Sequence, residues 1–258
     1  MMKNMTKTIM LEEEKIYKGN LILVNANHPL RSFQEEGFIP ADIRFPKILV
    51  KSDAANILQL ILKKISCYDE ILPVSGYRSV TEQRKIYADS LRDNGEDFTR
   101  KYVALPNHSE HQTGLAIDLG IKKEVIDFIR PEFPYDGISQ RFRKTALRYG
   151  FVERYQSTKE QITGIAHEPW HFRYVGYPHS EIMNTNNLSL EEYIDFLKDY
   201  KYGKKHFQAE IHGKQIEVFY VSADESKTTI SVPEQTLCQV SGNNVDGFII
   251  TLWRNRNE

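Results

Sequence analysis

Apolar residues at 54, 57, 58, 61, 62 and 65 recur at helical spacing behind Ser52, with Asp53 as an alternative N-cap, and predict an amphipathic helix lying on a core. Upstream, Leu21-Ile22-Leu23-Val24 runs into Asn25-Ala26-Asn27-His28-Pro29, the pattern of a strand entering a turn. Downstream, Ile71-Leu72-Pro73-Val74 reads as a strand that ends in Ser75-Gly76-Tyr77-Arg78-Ser79. A helix over residues 81–91 follows, with Ser79 as N-cap. Residues 93–106 are polar and irregular. Residues 115–119 read as a strand, 124–130 as a short helix ended by Pro131, and 139–149 as a stronger helix closed by Gly150. Phe151-Val152 starts a strand or turn, and residues 167–175 form an aromatic strand held extended before Pro169. Ser189 caps a helix over 190–200.

After Tyr200 the pattern changes, because residues 216–221, 228–232 and 248–253 all read as strands. The expected organisation is an N-terminal extension over 1–19, a main domain over 20–201 and a small β-rich subdomain over 202–258. Strands and helices interleave without a regular βαβ rhythm. The predicted class is therefore α+β, with mixed helices around a central antiparallel sheet and a β-rich C-terminal appendix.

The 258 residues, 40% of them hydrophobic, suffice for a substantial core. Lys and Arg total 34 against 35 Asp and Glu, and a net charge of −1 gives no electrostatic footprint for nucleic acid or an anionic membrane. A small neutral or zwitterionic substrate suits that balance. Cys67 and Cys238 form no metal-ligand spacing and read as ordinary buried thiols. Ile9-Met10-Leu11 is too short for a signal-peptide core, and no apolar run approaches the roughly 18 residues of a membrane span. A cytoplasmic location is the expectation.

Catalytic zinc usually takes three nitrogen or oxygen side-chain ligands and leaves one position for water. His111, Asp118 and His171 offer such a set: Gly114 can turn the chain sharply between the first two, and His171 comes from a neighbouring strand. Among eight histidines, spacing alone does not single out this triplet. Glu168, three residues before His171, would serve as the carboxylate base, although Glu-Pro-Trp-His is equally an ordinary turn into a strand, with Trp170 as core packing. Arg78 suits an oxyanion or a surface salt bridge, and Gln83 either reaches the same cleft or is solvated.

Three motifs in order, Ser75-Gly76-Tyr77-Arg78-Ser79, Ser109-x-His111-x-x-Gly114-x-Ala116-x-Asp118 and Glu168-x-Trp170-His171, resemble the zinc D-alanyl-D-alanine carboxypeptidase and vancomycin-resistance D,D-peptidase family. With the run at 21–24, the resemblance covers residues from about 20 to 200. It implies the fold shared with hedgehog signalling domains, with one zinc ion held by His111, Asp118 and His171. Glu168 is then the base, and Arg78 steadies the substrate carbonyl and transition state. Ser109, Gln83 and Ser75 are expected to bind the substrate. His108 and His167 match no ligand position and are expected to back the site or lie exposed.

The implied substrate is a small peptide ending in D-Ala-D-Ala, cleaved as dipeptide, as pentapeptide precursor or both, in glycopeptide resistance. A wall endopeptidase of the same fold and a non-catalytic zinc-binding domain are the other readings; intact Glu168 and Arg78 speak against the second. Residues 93–106 and 156–166, each preceding a ligand-bearing motif, are the expected caps of the cleft.

Overall fold

The computed structural model describes residues 5–32, 36–224 and 227–254. In chain order its elements are β1 (Thr6–Glu12), β2 (Phe38–Pro40), β3 (Leu49–Lys51), α1 (Ser52–Lys64), β4 (Ile71–Ser75), α2 (Val80–Asn94), α3 (Glu96–Tyr102), β5 (Ala116–Ile121), α4 (Gly137–Leu147), β6 (Phe151–Tyr155), α5 (Glu160–Thr163), β7 (Glu168–Tyr174), α6 (His179–Thr185) and α7 (Leu190–Leu197). Five strands complete the chain: β8 (Phe207–Ile211), β9 (Lys214–Ser222), β10 (Lys227–Pro233), β11 (Leu237–Gly242) and β12 (Gly247–Arg254). The chain forms two compact units, Val24–Ser189 and the remainder from both ends. The class is α+β with antiparallel sheets, as the interleaved pattern predicts.

The larger unit is built on a four-stranded antiparallel sheet in the order β4-β5-β7-β6. Its first helix follows the predicted stripe: α1 buries Ala54, Ala55, Leu58, Ile61 and Leu62 and packs near β2, β3 and α4. Helix α2 starts where Ser79 was expected to cap it. The Ser79 hydroxyl accepts from the Glu82 amide while the Glu82 carboxylate accepts from the Ser79 amide, which satisfies two otherwise unpaired donors.

The other unit is β-rich. Its four-stranded sheet runs β11-β12-β9-β8, and β1 pairs with β10 in a separate ribbon. Leu11, Ile16, Phe219, Val221, Ile230, Val232, Phe248, Ile250 and Leu252 form its core. Part of the expected N-terminal extension is thus a paired strand, and α7 belongs to this compact unit, not to the one that holds β4 to β7. The pairing of Thr6 with Pro233 lies far apart in sequence, beyond what local pattern encodes.

Three local expectations are corrected. Residues 21–24 are buried but form no strand, because their backbone bonds to loop groups: the Leu21 amide to Ser241 Oγ, the Leu23 amide to the Asn243 carbonyl, and the Leu23 carbonyl to Asn244 Nδ2. Residues 124–130 form no helix. There the Asp127 carboxylate accepts from the Ile129 and Arg130 amides and closes a turn instead. The polar stretch 93–106 contains α3, whose acidic first turn and basic last turn complement the helix dipole and whose Glu96 and Arg100 pair across one turn.

Candidate metal centre

Cross-strand register places the chemistry. Ser75 of β4 lies opposite Asp118 of β5, and Asp118 lies opposite His171 of β7, so three side chains share one row across the sheet. Alternation alone would send Glu168 to the face opposite His171. The β6–β7 pairing, however, jumps from Glu153 opposite Phe172 to Tyr155 opposite Glu168, leaving two extra residues on β7. This irregularity re-aims the strand start and brings Glu168 Oε2 within 3.8 Å of His171 Nδ1. His111 arrives from a 3-10 turn, Glu110–Thr113, that ends in left-handed Gly114 at φ +71°. A Cβ there would also stand 2.2 Å from the Phe38 ring, so only glycine fits the turn that joins His111 to the Asp118 strand.

His111, Asp118 and His171 are all buried, and one ligand atom from each lies within 4.8 Å of the others. His111 Nδ1 is 2.7 Å from the Gly76 carbonyl, which only accepts; Nδ1 therefore carries the proton and Nε2 presents its lone pair, 3.2 Å from Asp118 Oδ2. His171 Nδ1 is 2.9 Å from Asp118 Oδ1. Two imidazoles and one carboxylate, with a fourth side open to a cavity, fit the donor set of a catalytic divalent metal. The three residues can hold a metal ion.

Electrostatics separate the carboxylates. Burial works against ionised Asp118, but His111 and His171 overcome it and hold the acid well below the usual carboxylate range. Burial, reinforced by the Asp118 and Glu110 charges and opposed by His171 and Arg78, pushes Glu168 up to about 8. A carboxyl that exchanges its proton near neutrality is suited to general acid–base work. For His171, burial favours the neutral ring, yet bonds to Asp118 and Glu110 raise it to about 9.

The cavity beside this cluster has a volume of about 380 Å³. Its lining includes Arg78, Ser75, Ser109, Tyr155, Trp170 and Glu168. Arg78 donates from Nε to Ser75 Oγ at 2.9 Å and from an Nη to Asp118 Oδ2 at 3.2 Å, which aims its guanidinium across the site. Trp170 is buried, as expected of a packing residue, and also forms wall. Asp93, Asn94, Tyr102, Val103 and Ala104 line the cavity from one expected cap and Ile165 from the other.

Gln83 is the exception among the expected substrate contacts. It is fully buried, its amide nitrogen donates to the Ala104 carbonyl at 2.8 Å, and it braces the wall without lining it. His108 bonds the Asn25 carbonyl, and His167 stacks on Tyr135.

Residues that sequence reasoning passed over also stand here. Phe128 and Ile129 line the cavity from the segment expected to be helical. Glu110, Arg154 and Arg173 form a buried charged cluster behind His171. Their signal lay in charges set within apolar strands, Val152-Glu153-Arg154-Tyr155 and Phe172-Arg173-Tyr174.

The family model described as VanY, D-alanyl-D-alanine carboxypeptidase, matches residues 47–177. The chain is 41% identical over 181 residues to the bifunctional D-Ala-D-Ala dipeptidase and D-Ala-D-Ala carboxypeptidase VanXYC of Enterococcus gallinarum, across 69% of this chain and 95% of that protein. It is similar to the crystal structure of the vancomycin resistance D,D-dipeptidase VanXYg in complex with a D-Ala-D-Ala phosphinate analog, with a TM-score of 0.94 and 62% identity over 97% of this chain and 100% of that one. A mutant of the vancomycin resistance D,D-pentapeptidase VanY from a VanB-type cassette, solved in complex with Zn(II), matches with a TM-score of 0.57 and 26% identity, over 68% of this chain and 98% of that one. Site geometry, family model and relatives agree: this chain belongs to the VanY family of D-alanyl-D-alanine carboxypeptidases.

Proposed function

We propose that this chain is a zinc-dependent D,D-peptidase that hydrolyses the D-Ala-D-Ala bond of peptidoglycan precursors, as free dipeptide and as the end of the pentapeptide, in glycopeptide resistance. The observation that carries the reading is the convergence of His111, Asp118 and His171 with Glu168 and Arg78 on one cavity. The bifunctional relative at 41% identity supports the substrate class. Among the described residues no helix is long and apolar enough to cross a membrane. Action in the cytoplasm, where precursors are made, is part of the proposal.

His111, Asp118 and His171 would hold the zinc. When bound, the ion supplies Lewis acidity and makes a water easier to deprotonate near neutral pH. Glu168 takes the proton of the attacking water and returns it to the departing amine, a role its place beside His171 on the same cavity supports. Arg78 donates to the oxygen that gains charge as the carbonyl becomes tetrahedral, and Ser75 keeps the guanidinium aimed. Ser109 and Ser75 offer hydroxyls to the terminal D-alanine or the peptide backbone, while Trp170 and Tyr155 supply apolar wall.

The test is a side-by-side assay of D-Ala-D-Ala and pentapeptide precursor with the zinc-loaded protein, alongside metal analysis. D-alanine release from both is expected. Release from neither, with zinc bound, overturns the reading.

A further inference from the structure

The two histidines of the metal centre are oriented by different means. His111 is set by a backbone carbonyl, through its Nδ1 bond to Gly76. His171 has carboxylates on both nitrogens: Asp118 Oδ1 at 2.9 Å from Nδ1 and Glu110 Oε2 at 3.4 Å from Nε2. A ring flanked in this way has two available tautomers and two edges that a metal can use. What selects between them is the freedom of each carboxylate.

Glu110 has little freedom. It is 1% exposed, and its other oxygen, Oε1, accepts from Arg154 Nε and from an Nη of Arg173, each at 2.8 Å. Arg173 is itself fully buried on β7, two residues past His171 and on the same face, so both project toward Glu110. Arg154 sits on neighbouring β6 with its guanidinium over the Tyr155 ring, and that ring lies 4.8 Å from the His171 ring, centroid to centroid. Two fixed cations thus hold one carboxylate against one edge of the imidazole. Asp118 on the other edge is shared with His111.

We propose that Glu110, clamped by Arg154 and Arg173, is the positioning residue of the metal centre: it retains the proton on His171 Nε2 and so commits Nδ1 to the metal. This rests on the zinc reading above. A carboxylate behind a ligating histidine raises the ligand's basicity and fixes its ring, and loss of such a partner typically weakens metal binding by about 10- to 100-fold. Glu110 also borders the cavity, but both its oxygens are engaged, Oε1 by the two arginines and Oε2 by His171. Its effect passes through His171.

The experiment pairs a spectrum of the wild-type chain with one variant. In zinc-loaded wild type labelled with nitrogen-15 histidine, the long-range proton–nitrogen spectrum is expected to show His171 protonated at Nε2, with the proton protected from exchange. In Glu110→Gln, competition against a chromophoric chelator is expected to give zinc binding weaker by roughly 10- to 100-fold per folded chain. Loss of packing alone would lower the melting temperature and leave that affinity unchanged. The spectrum needs no variant to fold. Zinc-loaded wild type with His171 protonated at Nδ1, or Glu110→Gln with wild-type zinc affinity, overturns the inference and leaves the zinc reading standing. Failure of the wild type to take up zinc overturns both.

Discussion

Two four-stranded antiparallel sheets in this chain have similar burial and opposite content. At the centre of the β-rich unit, β9 and β12 pair Val218 with Thr251, Phe219 with Ile250 and Val221 with Phe248, and these strands are apolar almost throughout. Their chief exception, Glu217, lies at the margin and is met by His206 and Arg254. In the other sheet, β5 and β7 are just as buried yet carry Asp118, Glu168, His171 and Arg173. Removing a charge from water costs several kcal/mol even after relaxation. One sheet avoids that cost, and the other meets it with paired ions around a single cavity.

The largest effect is expected where the charged sheet does chemistry. Glu168→Gln keeps the shape of the side chain and removes the proposed base, so D-alanine release is expected to fall by about 10²- to 10⁴-fold while zinc stays bound. The same change bears on stability. Burial in the folded protein holds the Glu168 carboxyl at about 8, above its ordinary value of 4.5, so in the metal-free chain its stability contribution is full below pH 4.5 and lost as pH rises through 8. Metal-free Glu168→Gln is expected to outlast metal-free wild type in urea at pH 8. Equal midpoints would mean that the buried carboxyl carries no cost.

In the apolar sheet the corresponding cut is Phe219→Ala. Phe219 is 1% exposed in a core of aliphatic and aromatic side chains, and its truncation is expected to cost about 3–5 kcal/mol in a urea melt. Zinc bound per folded chain should not change. A drop in that ratio would break the division between an apolar sheet that contributes stability and a charged one that contributes chemistry.

How much of this was legible beforehand differs between the same two regions. The candidate ligands could be named because three motifs in order resemble a known family, where spacing alone did not single them out. The helices packed around the sheet were legible too where they follow apolar stripes, as the buried residues of α1 illustrate. The β1–β10 pairing was not legible, since nothing local in Thr6–Glu12 specifies a partner more than two hundred residues away. Nor was the two-residue irregularity in β7, which a period-2 reading cannot contain and without which Glu168 would face away from His171. The place of Gln83 behind the cavity wall was not legible for a related reason. It lies on the same helical face as Ile86 and Ser90, but one turn earlier that face meets Ala104 instead of open cavity.

A third cut sharpens the account of buried charge within the larger unit. His179 and His171 are each 2% exposed, but carboxylates raise His171 to about 9 whereas burial pushes His179 down to about 3. A histidine kept neutral by the fold contributes fully above the unfolded value of 6.5, and that contribution is lost as pH falls from 6.5 toward 3. The slope approaches about 1.4 kcal/mol per pH unit. The stability difference between wild type and His179→Asn should therefore shrink between pH 6 and 4.5, above the range of ordinary carboxylates. A pH-independent difference would show that His179 titrates alike in both states.

The smallest expected effect lies on the surface, one residue from Arg78. Ser79 caps α2 with a hydroxyl and a reciprocal Glu82 bond in an exposed setting, and α2 in turn supplies Ile86, Asp89, Ser90 and Asp93 to the cavity wall. If expense in this molecule follows buried charge, an exposed cap must be cheap even when the helix it starts is functional. Ser79→Ala is expected to cost about 1 kcal/mol, the ordinary value for a lost N-cap. Arg78 keeps its bonds to Ser75 and Asp118, neither of which involves Ser79, so D-alanine release should fall by less than about threefold, well short of the roughly tenfold that 1.4 kcal/mol represents. A much larger fall in rate at unchanged zinc content would mean that the cap, and not the Ser75 and Asp118 bonds, sets the aim of the guanidinium. Arg78 would then depend on the start of α2 more than on the sheet.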